Sequence, residues 1–236
     1  MADILLVHGS CHGAWCWRDL IPALDALGHR ARAIDLPGHG DDPTPVNKVT
    51  LDRYAEAVLA ACTPETVVLG HSMGGYAITA AAEIYPQAMA RLIYLCAYVP
   101  QAGLSLAKMR ELGPSQPLLP ALVMAPDKRS FTIDPSMTEH LFYHDCPAET
   151  VAYANAHLGP QAVAPTNTAL PSVDNAAALP RDYIRCMNDH TIPPSLQVAM
   201  SDGWPEGTVH EMSTGHSPFF ADPQGLAQII DMIVKG

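Results

Sequence analysis

Charged residues are scarce in this sequence of 236 residues, in which Lys, Arg, Asp and Glu together make up 16%, against about 25% in typical globular domains. Hydrophobic residues make up 48%, which is enough for a buried core and excludes an intrinsically disordered chain. Basic residues are the scarcest, because 13 Lys and Arg stand against 24 Asp and Glu and leave a net charge of −11. A surface this acidic repels phosphate backbones and anionic lipids, so we expect no nucleic-acid or membrane partner.

Three further patterns are missing. The six cysteines form no CxxC pair, no apolar run approaches the roughly 20 residues that cross a bilayer, and the first residues do not resemble a signal peptide. We therefore expect a cytoplasmic protein with reduced thiols. The length favours a single domain over residues 1–236, and it leaves the oligomeric state open between a monomer and a homodimer.

Strand-like and helix-like segments alternate over residues 1–100 and again over 181–236. Apolar runs such as DILLVHG and TVVLGHS predict strands that are buried on both faces, which is typical of a parallel sheet covered by helices. We expect an α/β fold with a mainly parallel sheet of about six strands and helices on both faces. The helices are expected near residues 14–30, 51–63, 73–86, 193–204 and 218–236, the second of them capped by Thr50.

The alternation stops between residues 100 and 180, which hold 11 of the 22 prolines. Short apolar pieces predict a hairpin at 123–133, and a helical pattern covers 147–157. We interpret residues 101–180 as a cap inserted between the fourth and fifth strands, over a core formed by residues 1–100 and 181–236.

A G-x-S-x-G motif follows the third predicted strand, as GHSMGG at residues 70–75. Between a strand and a helix, this motif forms a sharp turn that exposes a nucleophilic serine. Gly70 and Gly74 provide the small residues that let the turn close, and a helix from Met73 would aim its N–H groups at negative charge beside Ser72. Ser72 is therefore the candidate nucleophile.

A serine hydroxyl needs a basic histidine, which in turn needs an orienting carboxylate. In parallel sheets such groups collect at the carboxyl ends of the strands. His216 follows the last predicted strand, whereas His210 lies inside it; Asp189 ends the fifth strand, whereas Asp182 begins it. We predict His216 as the base and Asp189 as the acid, in the chain order Ser, Asp, His that α/β-hydrolases use.

An acyl-transfer site also needs two N–H donors for the oxyanion. We expect them from Met73 and from Ser10, in the turn after the first strand where Gly9 allows a close approach of the backbone. His12 either lines the pocket or packs as a structural histidine. His140 and His144 have the i, i+4 spacing of metal ligands but no evident third ligand, so we predict no metal site. We also expect that the reaction requires no cofactor.

The sequence resembles the plant methylesterase and hydroxynitrile lyase group of α/β-hydrolases and similar bacterial carboxylesterases, including pyrethroid-hydrolysing ones. The resemblance is carried by HGSCHGAWCW at 8–17, AIDLPGHG at 33–40, GHSMGG at 70–75, YIRCMND with PPSLQ at 183–197, and TGHS at 214–217. It implies a catalytic triad of Ser72, His216 and Asp189. The lyases of the group carry a threonine at the position of Gly9 and a lysine at that of Ser217, two positions that face the substrate. This chain is therefore more similar to the esterases.

We expect a serine hydrolase that cleaves carboxylic esters through an acyl-enzyme. Leu and Met side chains in residues 101–180 favour small to medium hydrophobic substrates, because such residues form an adaptable apolar pocket. Two alternatives stay open, a hydroxynitrile lyase on the same triad and a small-molecule receptor with very slow turnover. The pattern does not separate esters from lactones, thioesters or amides.

Overall fold

Six parallel strands form the central sheet in the computed structural model, which describes residues 1–236. The sheet has the order β2-β1-β3-β4-β8-β9, and every neighbouring pair in it is parallel. This result confirms the predicted α/β-hydrolase type of fold. In chain order the strands are β1 Asp3–Val7, β2 Arg30–Ile34, β3 Thr66–His71, β4 Arg91–Leu95, β5 Leu122–Met124, β6 Ser130–Ile133, β7 Gln161–Ala162, β8 Arg181–Cys186 and β9 Val209–Met212.

Eleven α-helices surround the sheet or lie in the segment between β4 and β8. They are α1 Leu20–Ala26, α2 Leu51–Ala60, α3 Gly74–Ile84, α4 Leu106–Arg110, α5 Pro135–Thr138, α6 Ala148–His157, α7 Val163–Asn167, α8 Asp174–Ala178, α9 Pro194–Met200, α10 Pro218–Ala221 and α11 Pro223–Lys235. Short 3₁₀ turns cover Ala14–Trp17, Val46–Lys48, Pro86–Ala88 and Leu119–Ala121, and a π-helical turn covers Glu139–Tyr143. None of the helices combines the length and the apolar character that crossing a bilayer requires.

The inner strands β1, β3, β4 and β8 bury both of their faces, on which successive side chains alternate. In β1, Leu5 and Val7 belong to the hydrophobic core that includes residues of α2, α3 and α9. Ile4 and Leu6 belong to the opposite core, which α1 and α11 cover. Helices thus lie on both faces, as the continuous apolar runs predicted.

The inserted segment, residues 101–180, contains a small sheet of its own. β5 and β6 form an antiparallel hairpin in which Leu122 pairs with Ile133, so the predicted hairpin is present. β7 adds a third strand beside β6. Helix α6 coincides with the predicted helix, whereas the short helices α4, α7 and α8 were not predicted.

Two predicted helix boundaries are wrong. The helix expected at 14–30 is a 3₁₀ turn followed by α1, which covers only Leu20–Ala26. The closing helix is divided into α10 and α11 at Asp222. Asp222 accepts a hydrogen bond from the Gly225 N–H at 2.9 Å and so caps α11, and Pro223 cannot donate the N–H that would continue α10.

Candidate active site

Ser72 lies in a strained turn between β3 and α3. Its φ is +55°, a left-handed value that is uncommon for a residue with a side chain. The backbone on either side fixes this conformation, because the Ser72 N–H donates to the Leu95 carbonyl at 3.2 Å and the Ser72 carbonyl accepts from the Tyr98 N–H at 3.1 Å. The turn therefore presents Ser72 at the carboxyl edge of the sheet.

The glycines of the motif are required by close backbone contacts. A Cβ atom on Gly74 would lie 2.8 Å from the Val7 carbonyl oxygen, and one on Gly70 would lie 2.8 Å from the Gly74 carbonyl oxygen. Both contacts are with backbone, which cannot rotate away as a side chain can. The two positions thus hold α3 against β1 and β3.

We expect Gly74→Ala to lower both stability and turnover. The added methyl should push α3 away from β1, with a loss of about 1–3 kcal/mol in the free energy of unfolding. A displacement of Ser72 by about 1 Å can cost about 10²-fold in turnover. Urea unfolding and an ester assay measure the two effects. Gly159→Ala is the matched control, because nothing lies within 4 Å of a Cβ there; equal behaviour of the two variants would contradict the packing argument.

A chain of hydrogen bonds joins Ser72, His216 and Asp189. The His216 Nε2 lies 3.1 Å from the Ser72 Oγ, and the His216 Nδ1 lies 2.7 Å from the Asp189 Oδ2. Because an ionised carboxylate only accepts hydrogen bonds, the proton of the neutral ring lies on Nδ1, and Nε2 is left to accept from the serine hydroxyl. All three residues are buried.

The Asp189 carboxylate is held by four donors. Its Oδ1 accepts from the N–H groups of Thr191 at 2.6 Å and Ile192 at 3.0 Å, and its Oδ2 accepts from the Gln197 Nε2 at 2.9 Å as well as from His216. Buried charges are tolerated when they are satisfied in this way. Gln197 was not predicted from the sequence. The signal that could have identified it is a polar amide at a buried position of α9, since the other buried residues of that helix, Leu196 and Met200, are apolar.

The loops that carry Asp189 and His216 are tied to their surroundings. The Asn188 N–H donates to the Thr214 carbonyl at 3.0 Å, which joins the two loops. The Gly215 N–H donates to the Asp145 Oδ2 at 2.6 Å, which joins the His216 loop to the inserted segment.

Asp182, the rejected carboxylate, lies at the opposite edge of the sheet. It begins β8, forms a salt bridge with Arg91 and lies 3.2 Å from the His210 Nε2. The structure thus brings Asp189 and His216 together and places Asp182 and His210 in a separate contact.

Ser10 and Met73 line the small cavity that also contains Ser72. Neither the Ser10 N–H nor the Met73 N–H donates to any protein acceptor. The cavity volume is only about 20 Å³, whereas ligand pockets usually hold about 300–1,000 Å³. In this arrangement the cavity is therefore smaller than an ester substrate needs.

Gly9, His12 and Ser217 do not line this cavity. A Cβ atom on Gly9 would lie 2.9 Å from the Ser72 Cβ, so its small size is needed for packing against the turn. The Ser217 side chain is buried, and its hydroxyl has no hydrogen-bond partner. Their proposed contact with substrate stays a prediction.

His12 is buried behind the Ser10 turn. Its Nδ1 lies 2.8 Å from the Ser10 carbonyl oxygen, and its Nε2 lies 2.8 Å from the Tyr143 hydroxyl. The ring packs against aromatic neighbours that include Phe142. This placement favours the interpretation of His12 as a structural histidine over its interpretation as a residue that lines the pocket.

Two groups of histidines could suggest a metal site, and both make other contacts, although the Nδ1 atoms of His71 and His144 have no hydrogen-bond partner. His71, Cys96 and His216 bring their ligand atoms within 4.8 Å of one another. However, the His71 Nε2 and the Cys96 thiol both bond the His216 carbonyl oxygen, and the ring nitrogens of His216 face Ser72 and Asp189. His140 and His144 pack against the ring of His190 instead. The absence of a metal site stays a prediction.

Buried histidines make folding sensitive to acid. Burial lowers the pKa of His8 and of His12 from 6.5 to about 3, and that of His39 to about 4. Burial, and then the nearby His216, also lower the pKa of His71. The unfolded chain therefore binds more protons than the native protein below pH 6.5, so stability decreases as the pH falls through that value.

We expect the urea midpoint to be lower at pH 5.5 than at pH 7.5. One histidine that stays neutral in the native state loses about 1.4 kcal/mol of stability at pH 5.5. His39→Gln, which can keep the hydrogen bond to the Tyr54 hydroxyl, should flatten the pH dependence by this amount. His157→Gln, at an exposed position, is the matched control. If the midpoint did not change with pH, the neutral state of these rings would be refuted.

The parallel six-stranded sheet and the strand–turn–helix around G-x-S-x-G define an enzyme of the α/β-hydrolase type. The chain belongs to the alpha/beta hydrolase family, whose model matches residues 4–229. The resemblance inferred from the motifs is thereby confirmed.

Pyrethroid hydrolases and plant methylesterases are among the proteins to which this chain is similar. The chain is 31% identical to the pyrethroid hydrolase of Sphingobium wenxiniae over 98% of this chain and 86% of that protein. It is 30% identical to methylesterase 2 of Arabidopsis thaliana, over 94% of this chain and 92% of that one. Among solved structures, a pyrethroid hydrolase from Sphingobium faniae has a TM-score of 0.87 at 28% identity, covering 100% of this chain and 98% of its own. The chain is thus an enzyme of the esterase type within the family.

Proposed function

We propose that this enzyme hydrolyses carboxylic esters through an acyl-enzyme on Ser72. The hydrogen-bonded chain from Ser72 through His216 to Asp189 is the observation that carries the proposal. The resemblance to methylesterases and a pyrethroid hydrolase supports the reaction class.

In the first half of the reaction, Ser72 Oγ attacks the ester carbonyl carbon while His216 Nε2 takes the hydroxyl proton. The carbonyl oxygen becomes an oxyanion, which the N–H groups of Ser10 and Met73 stabilise. The C–O bond to the alcohol then breaks, and His216 gives the proton to the leaving alkoxide. Asp189 keeps the ring in the required tautomer and stabilises its positive charge.

In the second half, water attacks the acyl carbon. His216 takes a proton from the water and returns it to Ser72 Oγ as the acyl group leaves as a carboxylic acid. No cofactor takes part in this proposal.

We propose small to medium hydrophobic esters as substrates, with the inserted segment acting as a cap. Leu106 and Leu118 of that segment line the cavity with Phe131, which supports an apolar pocket. Other apolar residues expected there are turned to solvent, since Val123 is 50% exposed and Met124 is 45% exposed. The proposed location is the cytoplasm, with no nucleic-acid or membrane partner; a homodimer is retained as a proposal beside a monomer.

A substrate panel tests the proposal. We expect p-nitrophenyl acetate, butyrate and octanoate to be turned over many times per enzyme, with kcat/KM rising from acetate until the pocket is full. An ester of an aromatic alcohol should also be cleaved, whereas mandelonitrile should release little cyanide. A single release of p-nitrophenol per enzyme would favour a receptor, and cyanide release comparable to ester turnover would favour a lyase.

A further inference from the structure

A single arginine lines the cavity that contains Ser72. Arg110 is the last residue of α4, and Leu106, one turn earlier, lines the same cavity. Residues four apart share one face of a helix, so α4 directs this face toward Ser72. The cation therefore belongs to the inserted segment and faces the residues of the strand–helix turn.

Arg110 has no partner within the protein. Its side chain forms no hydrogen bond and no ion pair, although its Nε is buried. The adjacent carboxylate, Glu111, bonds the Lys108 Nζ at 3.0 Å instead. Arg110 as a whole is half-buried, and only its Nε is shielded from water without an acceptor. Leaving that donor unpaired is unfavourable, which points to an acceptor supplied by a ligand.

The remaining wall of the cavity gives this charge no competitor. No carboxylate is among the lining residues: Met73, Leu106, Leu118 and Phe131 are apolar, and the others, Ser10, Ser72, Tyr98, Thr166 and Thr191, carry only hydroxyl groups. In a partly desolvated cavity without a competing carboxylate, one unneutralised cation attracts an anion more strongly than it would in water. The net charge of −11 acts in the opposite direction at long range, so any preference for anions must come from this local contact.

We propose that Arg110 binds a carboxylate of the substrate, so that the preferred ester has an apolar body and one anionic end. This inference rests on the proposed ester hydrolysis and deepens it. A guanidinium can donate two parallel hydrogen bonds to a carboxylate. One arginine also neutralises one charge, which matches a carboxylate better than a doubly charged phosphate.

Two matched pairs of esters test the proposal on either side of the scissile bond. The first is mono-p-nitrophenyl adipate against p-nitrophenyl hexanoate, which differ at the far end of the acyl chain. The second is 3-(butyryloxy)benzoate against 3-methylphenyl butyrate, which differ in the alcohol. The quantity measured is the ratio of kcat/KM for the anionic ester to that for the neutral ester.

For the wild-type enzyme we expect a ratio above one in at least one pair. Arg110→Met should lower that ratio by about 10- to 100-fold, the value of a hydrogen-bonded charge pair, mainly through a higher KM. Arg110→Lys should keep part of the preference, because it retains the charge without the planar fork. Arg53→Met removes an arginine from an exposed position on α2 and should leave the ratio unchanged.

Ratios at or below one in both pairs of the wild type, or the same ratios in Arg110→Met, would overturn the role of Arg110. If Arg110→Met fails to fold, the wild-type ratios and Arg110→Lys still decide. Failure of the wild-type enzyme to cleave any of the four esters would instead contradict the proposed function. The two failures are therefore distinguishable.

Discussion

Ser72→Ala should abolish ester turnover, with a loss on the order of 10⁶-fold in kcat. The substitution removes only the hydroxyl that lies 3.1 Å from the His216 Nε2, and it keeps the Cβ in the turn. A fluorophosphonate probe should add once to the wild-type enzyme, at Ser72, and not to the variant. Kinetics and mass spectrometry of the labelled peptide measure the two results.

The matched control is Ser115→Ala, at an exposed position of the inserted segment. It should react with the probe and cleave esters as the wild type does. Retained activity in Ser72→Ala, or a label on another serine, would remove Ser72 from the role of nucleophile.

The sheet could be predicted from the sequence because strands buried on both faces leave a continuous apolar run. Residues such as Val67, Val68 and Leu69 must all avoid water, whichever face they point to. The ends of the helices were harder to predict from the sequence. Asp222 caps α11 with its side chain, and Pro223 lacks the N–H that would continue α10, so the closing helix is divided there. The apolar periodicity of the sequence continues through these two residues and gives no sign of the division.

The candidate site could be predicted where topology restricts the choice. Residues directly after parallel strands meet at one edge, which was enough to select Asp189 over Asp182 and His216 over His210. Gln197 and Arg110 could not be selected in this way. Gln197 contacts Asp189 from α9 and Arg110 lines the cavity from α4, and nothing in the spacing of a short helix tells which of its residues faces the site.

Asp189→Asn should lower kcat by about 10⁴-fold while the fold stays intact. If the asparagine Oδ1 takes the N–H groups of Thr191 and Ile192, its Nδ2 must face His216 Nδ1 and the Gln197 Nε2. An amide N–H donates, so it selects the ring tautomer with the proton on Nε2, which cannot accept a proton from Ser72. Steady-state kinetics measure the loss, and circular dichroism checks the fold.

Asp182→Asn provides the comparison, because it makes the same chemical change in another buried carboxylate. It weakens the contacts with Arg91 and His210 and should lower the thermal midpoint, but at the far edge of the sheet it should leave kcat close to that of the wild type. The assignment of the acid fails if Asp189→Asn is near wild type while Asp182→Asn is inactive. If only Asp189→Asn loses kcat and its thermal midpoint is preserved, the loss cannot come from a general decrease in stability. It then comes from the tautomer of His216, that is, from which ring nitrogen carries the proton.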